Sequence, residues 1–131
     1  MCIVAFAWHV LEDMPLCLLS NRDEFYHRPS AALHQWENSQ IVAGQDLQSG
    51  GTWMGVTASG RWAIVTNFRN PRDKTQYATS RGHLIQDFLE SDLAPIRFAQ
   101  QLEQKQQDYA GFNLFVGDRE QAVYMSNHGE A

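Results

Sequence analysis

A cysteine directly after the initiator methionine and the polar run Ser20-Asn21-Arg22-Asp23-Glu24 are the parts of this sequence whose residue types suit nucleophilic catalysis. A thiolate attacks carbonyl carbon, but it needs a base to form it and a counter-charge to hold it. Removal of Met1 would leave Cys2 with a free α-amine beside its own thiol. In unperturbed peptides the amine titrates at about 7.7 to 8.0 and a thiol at about 8.5, so one residue would supply both base and nucleophile. Arg22 would favour the charged form of the sulfur. Asp23 would orient the new ammonium group and hold Arg22 in place.

The flanking sequence is what would bring these residues together. Residues 2–8 and 15–20 are short apolar runs joined by the polar segment 9–14, a pattern that predicts an antiparallel hairpin. With its turn centred near residues 11–13, cross-strand partners sum to about 23 to 25, which sets Cys2 opposite residues 21–23. The same register moves Cys17 about five residues along the ladder, roughly 16 Å from Cys2 at ~3.3 Å per residue. A disulfide spans no more than ~7 Å between Cα atoms, so Cys17 is expected to be a small core residue. Both runs are apolar at successive positions, which predicts strands covered on both faces. Residue types and spacing leave two readings open at this point. Cys2 faces a catalytic arginine and carboxylate, or Asn21 to Glu24 is a strand end carrying surface ion pairs.

After Asn21 the pattern becomes irregular, with a break at Arg28-Pro29-Ser30 and only a brief strand at Ile41-Val42-Ala43. Gly50 and Gly51 open a second hairpin, Thr52 to Thr57 and Arg61 to Asn67, around the turn Ala58-Ser59-Gly60. Leu84, Ile85, Phe88 and Leu89 recur at helical spacing within 81–90, with Ser80 as N-cap. A second helix is capped by Ser91 or Asp92, carries Pro95 in its first turn, buries Ile96, Ala99 and Leu102, and ends at Gly111. Phe112 to Asp118 and Ala122 to Asn127 form a last strand pair around Asp118-Arg119-Glu120. Strands, then helices, then strands predict one α+β layered domain over residues 1–131 with mainly antiparallel sheets. A strand so close to Ala131 leaves such a domain open to continuing beyond it.

Charge and composition remove several function classes. The net charge of -5 has no clustered basic run, so nucleic acid is not an expected partner. No apolar stretch approaches the ~20 residues of a membrane span, and no basic leader precedes the apolar run at residues 3–8. The expected location is therefore cytosolic, with both thiols reduced. The five histidines are scattered singly, so neither a metal nor another cofactor is expected. Oligomeric state is not legible.

The string Ser20-Asn21-Arg22-Asp23-Glu24-Phe25-Tyr26-His27-Arg28-Pro29 resembles the motif of the NRDE family, also called the transport and Golgi organisation family. Met1-Cys2-Ile3, Gly50-Gly51-Thr52-Trp53-Met54-Gly55-Val56, Thr66-Asn67-Phe68 and Gly111-Phe112-Asn113-Leu114 resemble further family segments in the same order. The resemblance covers nearly the whole chain as the N-terminal part of the family domain, which it implies runs past residue 131. It also implies kinship with N-terminal-nucleophile (Ntn) hydrolases, whose four layers run α, β, β, α and whose cysteine members cleave non-peptide amides. By that resemblance Cys2 is the nucleophile, Arg22 and Asp23 support it, and Asn67 is the candidate oxyanion donor. A shifted alignment gives the supporting roles to Asn21 and Glu24 instead.

Trp53 reads as core packing in the second hairpin or, with Glu24, as a substrate contact. His9 falls at the strand end remote from Cys2, and His27 falls nearer to it. The expected function is a cysteine Ntn hydrolase or acyltransferase acting on a small amide or ester. The rival, also implied by the resemblance, is a non-catalytic carrier for a hydrophobic ligand such as haem or a lipid. Haem would need an axial ligand, and the dispersed histidines offer no evident pair.

Overall fold

The computed structural model describes residues 1–129. In chain order it contains β1 (Val4–Leu11), β2 (Met14–Ser20), β3 (Ser30–Gln35), β4 (Ile41–Asp46), β5 (Met54–Thr57), β6 (Trp62–Asn67), α1 (Gly82–Glu90), α2 (Pro95–Glu103), β7 (Phe112–Gly117) and β8 (Ala122–Ser126). β1 and β2 pair only with each other, and the remaining strands form a six-stranded sheet in the order β3-β4-β5-β6-β7-β8. Every pairing is antiparallel. The fold is thus mixed α+β with antiparallel sheets and two helices, as the order of elements predicts.

The core forms where α1 lies on one face of the six-stranded sheet. Its Leu84, Ile85, Phe88 and Leu89 pack against Ile41, Ala43, Ala63, Val65, Leu114 and Val116. Burying a side chain such as Phe88 contributes about 1.5 to 3 kcal/mol. Alternation along β7 turns Phe112, Leu114 and Val116 towards the helices and Phe115 the other way. On that opposite face sits the first hairpin, with Phe6 5.1 Å from Phe115 and Trp8 5.8 Å from Trp62 between ring centroids. The order through the molecule is therefore helices, large sheet, hairpin.

The hairpin departs from its sequence reading. It is not covered on both faces: pairing turns Phe6 and Trp8 inward but leaves Ile3 61% and Leu19 68% exposed. A continuous apolar run does not reveal that only one of its faces finds a partner. β3 is a second correction. The break at Arg28-Pro29 holds, with a turn at residues 26–27 and a bend at Arg28, but a strand absent from the sequence reading begins at Ser30: β3 is the edge of the sheet, mostly exposed and without an apolar alternation to announce it.

Both helices occur, with altered ends. Arg81, not Ser80, is the cap residue of α1, although the Ser80 hydroxyl accepts a hydrogen bond from Gly82 N–H. Ser91 closes α1 through Phe88 O instead of capping α2, which starts after Ala94 with Pro95 in its first turn. Ile96 is exposed, because Pro95, Phe98, Ala99 and Leu102 occupy the inward stripe. Gly111 does not end α2, which stops at Glu103. It lies before β7, where a Cβ would meet Phe68 O at 2.8 Å. The turn at Ala58-Ser59-Gly60 forms as predicted, with Gly60 at φ +93°, a conformation that favours glycine.

Candidate active site

Hairpin register delivers the first half of the site. Partners sum to 24 from Val4↔Ser20 through Trp8↔Leu16, inside the predicted range, so the chain ends beside β1 and β2 meet. Asn21 then brackets Cys2. Its side-chain oxygen accepts from Ile3 N–H (2.8 Å), and its amide donates to Met1 O (3.0 Å). Asp23 contacts the neighbourhood twice: its backbone N–H points at Cys2 Sγ (3.4 Å), and its carboxylate pairs with the terminal ammonium of Met1. That hydrogen bond, then the charge of the ammonium and more weakly Arg69, hold the Asp23 carboxyl below its usual range against a smaller effect of burial. Cys17 lies across from Ala7, and both cysteines are free thiols.

Beside Cys2 is a pocket of about 120 Å³. Arg22, Asp23, Glu24, Trp53 and Asn67 all contribute to its wall, together with Arg28, Asp46, Thr52, Ser80 and Arg81. Asn21 is not part of the wall and acts on the backbone around Cys2. Asn67 ends β6 opposite Phe112 and borders the pocket. Glu24 accepts from Phe25 N–H through Oε1. His27 stacks on Phe25 away from the wall.

Arg22 corrects the predicted partnership. It is held by Asp46 (3.8 Å) and lies over the Trp53 ring (4.4 Å to its centroid), rather than paired with Asp23 or bonded to the sulfur. Trp53 in turn lies against Gly44, where a Cβ would meet its ring at 2.8 Å. Trp53 is therefore both packed and at the pocket, as a platform for Arg22.

Asp46 is the hub that sequence reading missed. It accepts from Arg28 Nε (2.7 Å) through Oδ2, and from Gln48 N–H (2.9 Å) and Ser49 N–H (3.3 Å) through Oδ1. Burial pushes its carboxyl up, but those three donors together outweigh burial and leave it below the ordinary aspartate value. Arg81 was also missed. It is half-buried at the start of α1 and donates to Gly111 O (2.8 Å). Burial and then the charge of Arg69 lower its pKa, and Glu24 opposes them. These pairings join residues 18 to 30 apart in the chain, and no local periodicity announces them.

The pocket thus sets a thiol in a wall that also carries Arg22, Arg28, Arg81, Asp23, Glu24 and Asp46, with Asp46 as the ion-pair partner of Arg22 and Arg28. The N-terminus of α1, at Arg81 and Gly82, adds the positive end of a helix dipole. Among the described residues no group of three or more His, Cys, Asp or Glu is placed to hold a metal ion, and no helix is long and apolar enough to cross a membrane. A nucleophile, a carboxylate that binds a terminal ammonium and several N–H donors around one cavity are the components of acyl transfer.

Comparison with known proteins extends over the same residues. The chain matches the family described as Transport and Golgi organisation 2 across residues 1–131. The Transport and Golgi organization protein 2 homologs of Bos taurus and Homo sapiens are each 36% identical to it over 124 residues, covering 88% of this chain and 45% of theirs. An uncharacterized protein of Saccharomyces cerevisiae is 32% identical over 133 residues, covering 90% of this chain and 42% of its own. The chain spans about half the length of the curated relatives it matches.

Proposed function

The chain belongs to the Transport and Golgi organisation 2 family, and from that premise we propose that it carries the nucleophile-bearing part of a cysteine Ntn hydrolase or acyltransferase for a small amide or ester. The observation that carries this reading is Asp23, which touches Cys2 Sγ with its N–H and binds the chain-terminal ammonium with its carboxylate. Removal of Met1 would transfer that ammonium to Cys2, next to a carboxylate already occupied with one.

In this mechanism the α-amine of Cys2 takes the thiol proton and the thiolate attacks the substrate carbonyl. The carbonyl π-electrons move onto oxygen, giving a tetrahedral oxyanion. Asn67 donates to that oxyanion, a contribution typically worth about 2.7 to 4 kcal/mol of barrier. Collapse breaks the C–N or C–O bond, and the ammonium returns its proton to the leaving amine or alcohol. Cys2 then holds the acyl group as a thioester. Water, deprotonated by the same amine, releases the acid; a second amine or alcohol in its place gives acyl transfer. Asn21 fixes the backbone on both sides of the nucleophile, and Arg22 on its Trp53 platform walls the pocket, with Glu24 at the same wall as a substrate contact.

The layering of helices, large sheet and hairpin supports the first three layers of an α, β, β, α arrangement. The carrier reading draws no support from this pocket, whose wall is mostly charged and polar side chains. The test is a panel of acyl amides and esters hydrolysed by the chain and by its Cys2→Ala form. Turnover lost in Cys2→Ala and reduced about 10²- to 10³-fold in Asn67→Ala is expected. A Cys2→Ala protein with full activity would sink the reading.

A further inference from the structure

Arg81 lines two cavities. One is the pocket of Cys2, and the other a groove of about 510 Å³ bordered by Phe68, Arg69, Lys74, Tyr77 and Arg81 itself. Arg69, Lys74 and Arg81 are in no ion pair among the described residues. The acid of the groove, Asp73, is occupied by Thr75 N–H (2.9 Å) and Tyr77 hydroxyl (2.8 Å). Three cations against one acid make this groove positive in a chain whose net charge is -5.

The state of Arg81 makes that excess informative. Its Nη1 meets Gly111 O, and the rest of the guanidinium fork is unbonded among the described residues. Half-buried cations are costly unless paired. Burial and then the neighbouring charge of Arg69 disfavour the charged form of Arg81, and Glu24 offsets them only in part; an anion in the groove would offset the rest. A planar fork next to further point charges is suited to an oxyanion.

We propose that the substrate of the Cys2 site is itself an anion, an amide or ester whose carboxylate or phosphate is held by Arg81, Arg69 and Lys74 in the groove while its carbonyl lies beside Cys2. This rests on the hydrolase reading for its chemistry, but its test does not depend on turnover. The Cys2→Ala chain is titrated with N-benzoylglycine and with its neutral amide, following backbone N–H signals of residues 69–82. The acid is expected to bind about tenfold tighter, the scale of one charge-assisted hydrogen bond. Arg69→Gln and Lys74→Gln alter exposed side chains, and should weaken the acid while leaving the amide unchanged. Added salt should weaken the acid alone. Inorganic phosphate that displaces the acid assigns the site to phosphate; phosphate without effect assigns it to carboxylate. Equal affinity of acid and amide, or no response to either acid or phosphate at millimolar concentration, overturns the proposal. Selective anion binding in a chain whose Cys2 proves inert would remove the hydrolase reading and leave the anion site standing.

Discussion

Asp46 holds the arginine side of the pocket, and its replacement gives a graded test of that role. Asp46→Asn keeps an oxygen for Gln48 N–H and Ser49 N–H but removes the charge that faces Arg28 at 2.7 Å and Arg22 at 3.8 Å. A hydrogen bond to a charged group contributes about 1.5 to 3 kcal/mol, and a longer, part-exposed pair up to ~1 kcal/mol. The expected loss is therefore about 2 kcal/mol, or roughly 8 °C in Tm for a domain of this size. Asp46→Ala also removes the acceptor of Gln48 N–H and Ser49 N–H, which water can replace only in part in this part-exposed turn, and raises the loss to about 3 kcal/mol. Burial raises the Asp46 carboxyl, but its donors prevail, so the folded pKa lies below 3.8. A depressed carboxylate contributes stability that is present above its unfolded pKa and is lost as pH falls through the folded one. The gap between wild type and Asp46→Asn should thus be constant from neutral pH to about pH 5 and close below the unfolded value. Urea unfolding followed by circular dichroism at several pH values measures it. Equal stability at neutral pH, or a gap that persists in acid, would refute the reasoning.

Two further substitutions probe the site from different sides. Gly44→Ala drives a methyl to 2.8 Å from the Trp53 ring and 3.2 Å from Ala31 O, so a loss of about 1 to 3 kcal/mol and a shifted tryptophan emission are expected; a variant with unchanged melting and emission contradicts the platform. Asn21→Ala removes both side-chain bonds around Cys2 in an exposed segment, so stability should fall by no more than about 1 kcal/mol while alkylation of Cys2 slows several-fold. Alkylation of Cys2 at the wild-type rate counts against the bracket.

The parts of this architecture legible in sequence are those fixed by local rules. The first hairpin is closed by a short turn, so a register counted from that turn brings Cys2 to Asn21 and Asp23. α1 announces itself through Leu84, Ile85, Phe88 and Leu89, which all enter the core. What depends on distant partners was hidden. Ile96 looks as apolar as Leu102, and only the way α2 packs decides that Leu102 enters the core while Ile96 stays exposed. Arg22 sits next to Asp23 in the chain, yet its ion pair is to Asp46, on a strand of the other sheet. Asp46 and Arg81 carry no motif of their own, and Arg28 stands at the end of the Ser20-to-Pro29 string without any sign of its tie to Asp46. Each becomes part of the site only when the two sheets and α1 converge on one pocket.

The proposed chemistry requires Cys2 to be a free N-terminal nucleophile, and Cys17 supplies its internal control because both thiols are half-buried. Intact mass and peptide mapping, before and after brief iodoacetamide treatment at neutral pH, compare them directly. The expected result is a chain lacking Met1 in which Cys2 is alkylated well before Cys17. A chain that retains Met1 and alkylates both cysteines at the same rate would contradict it.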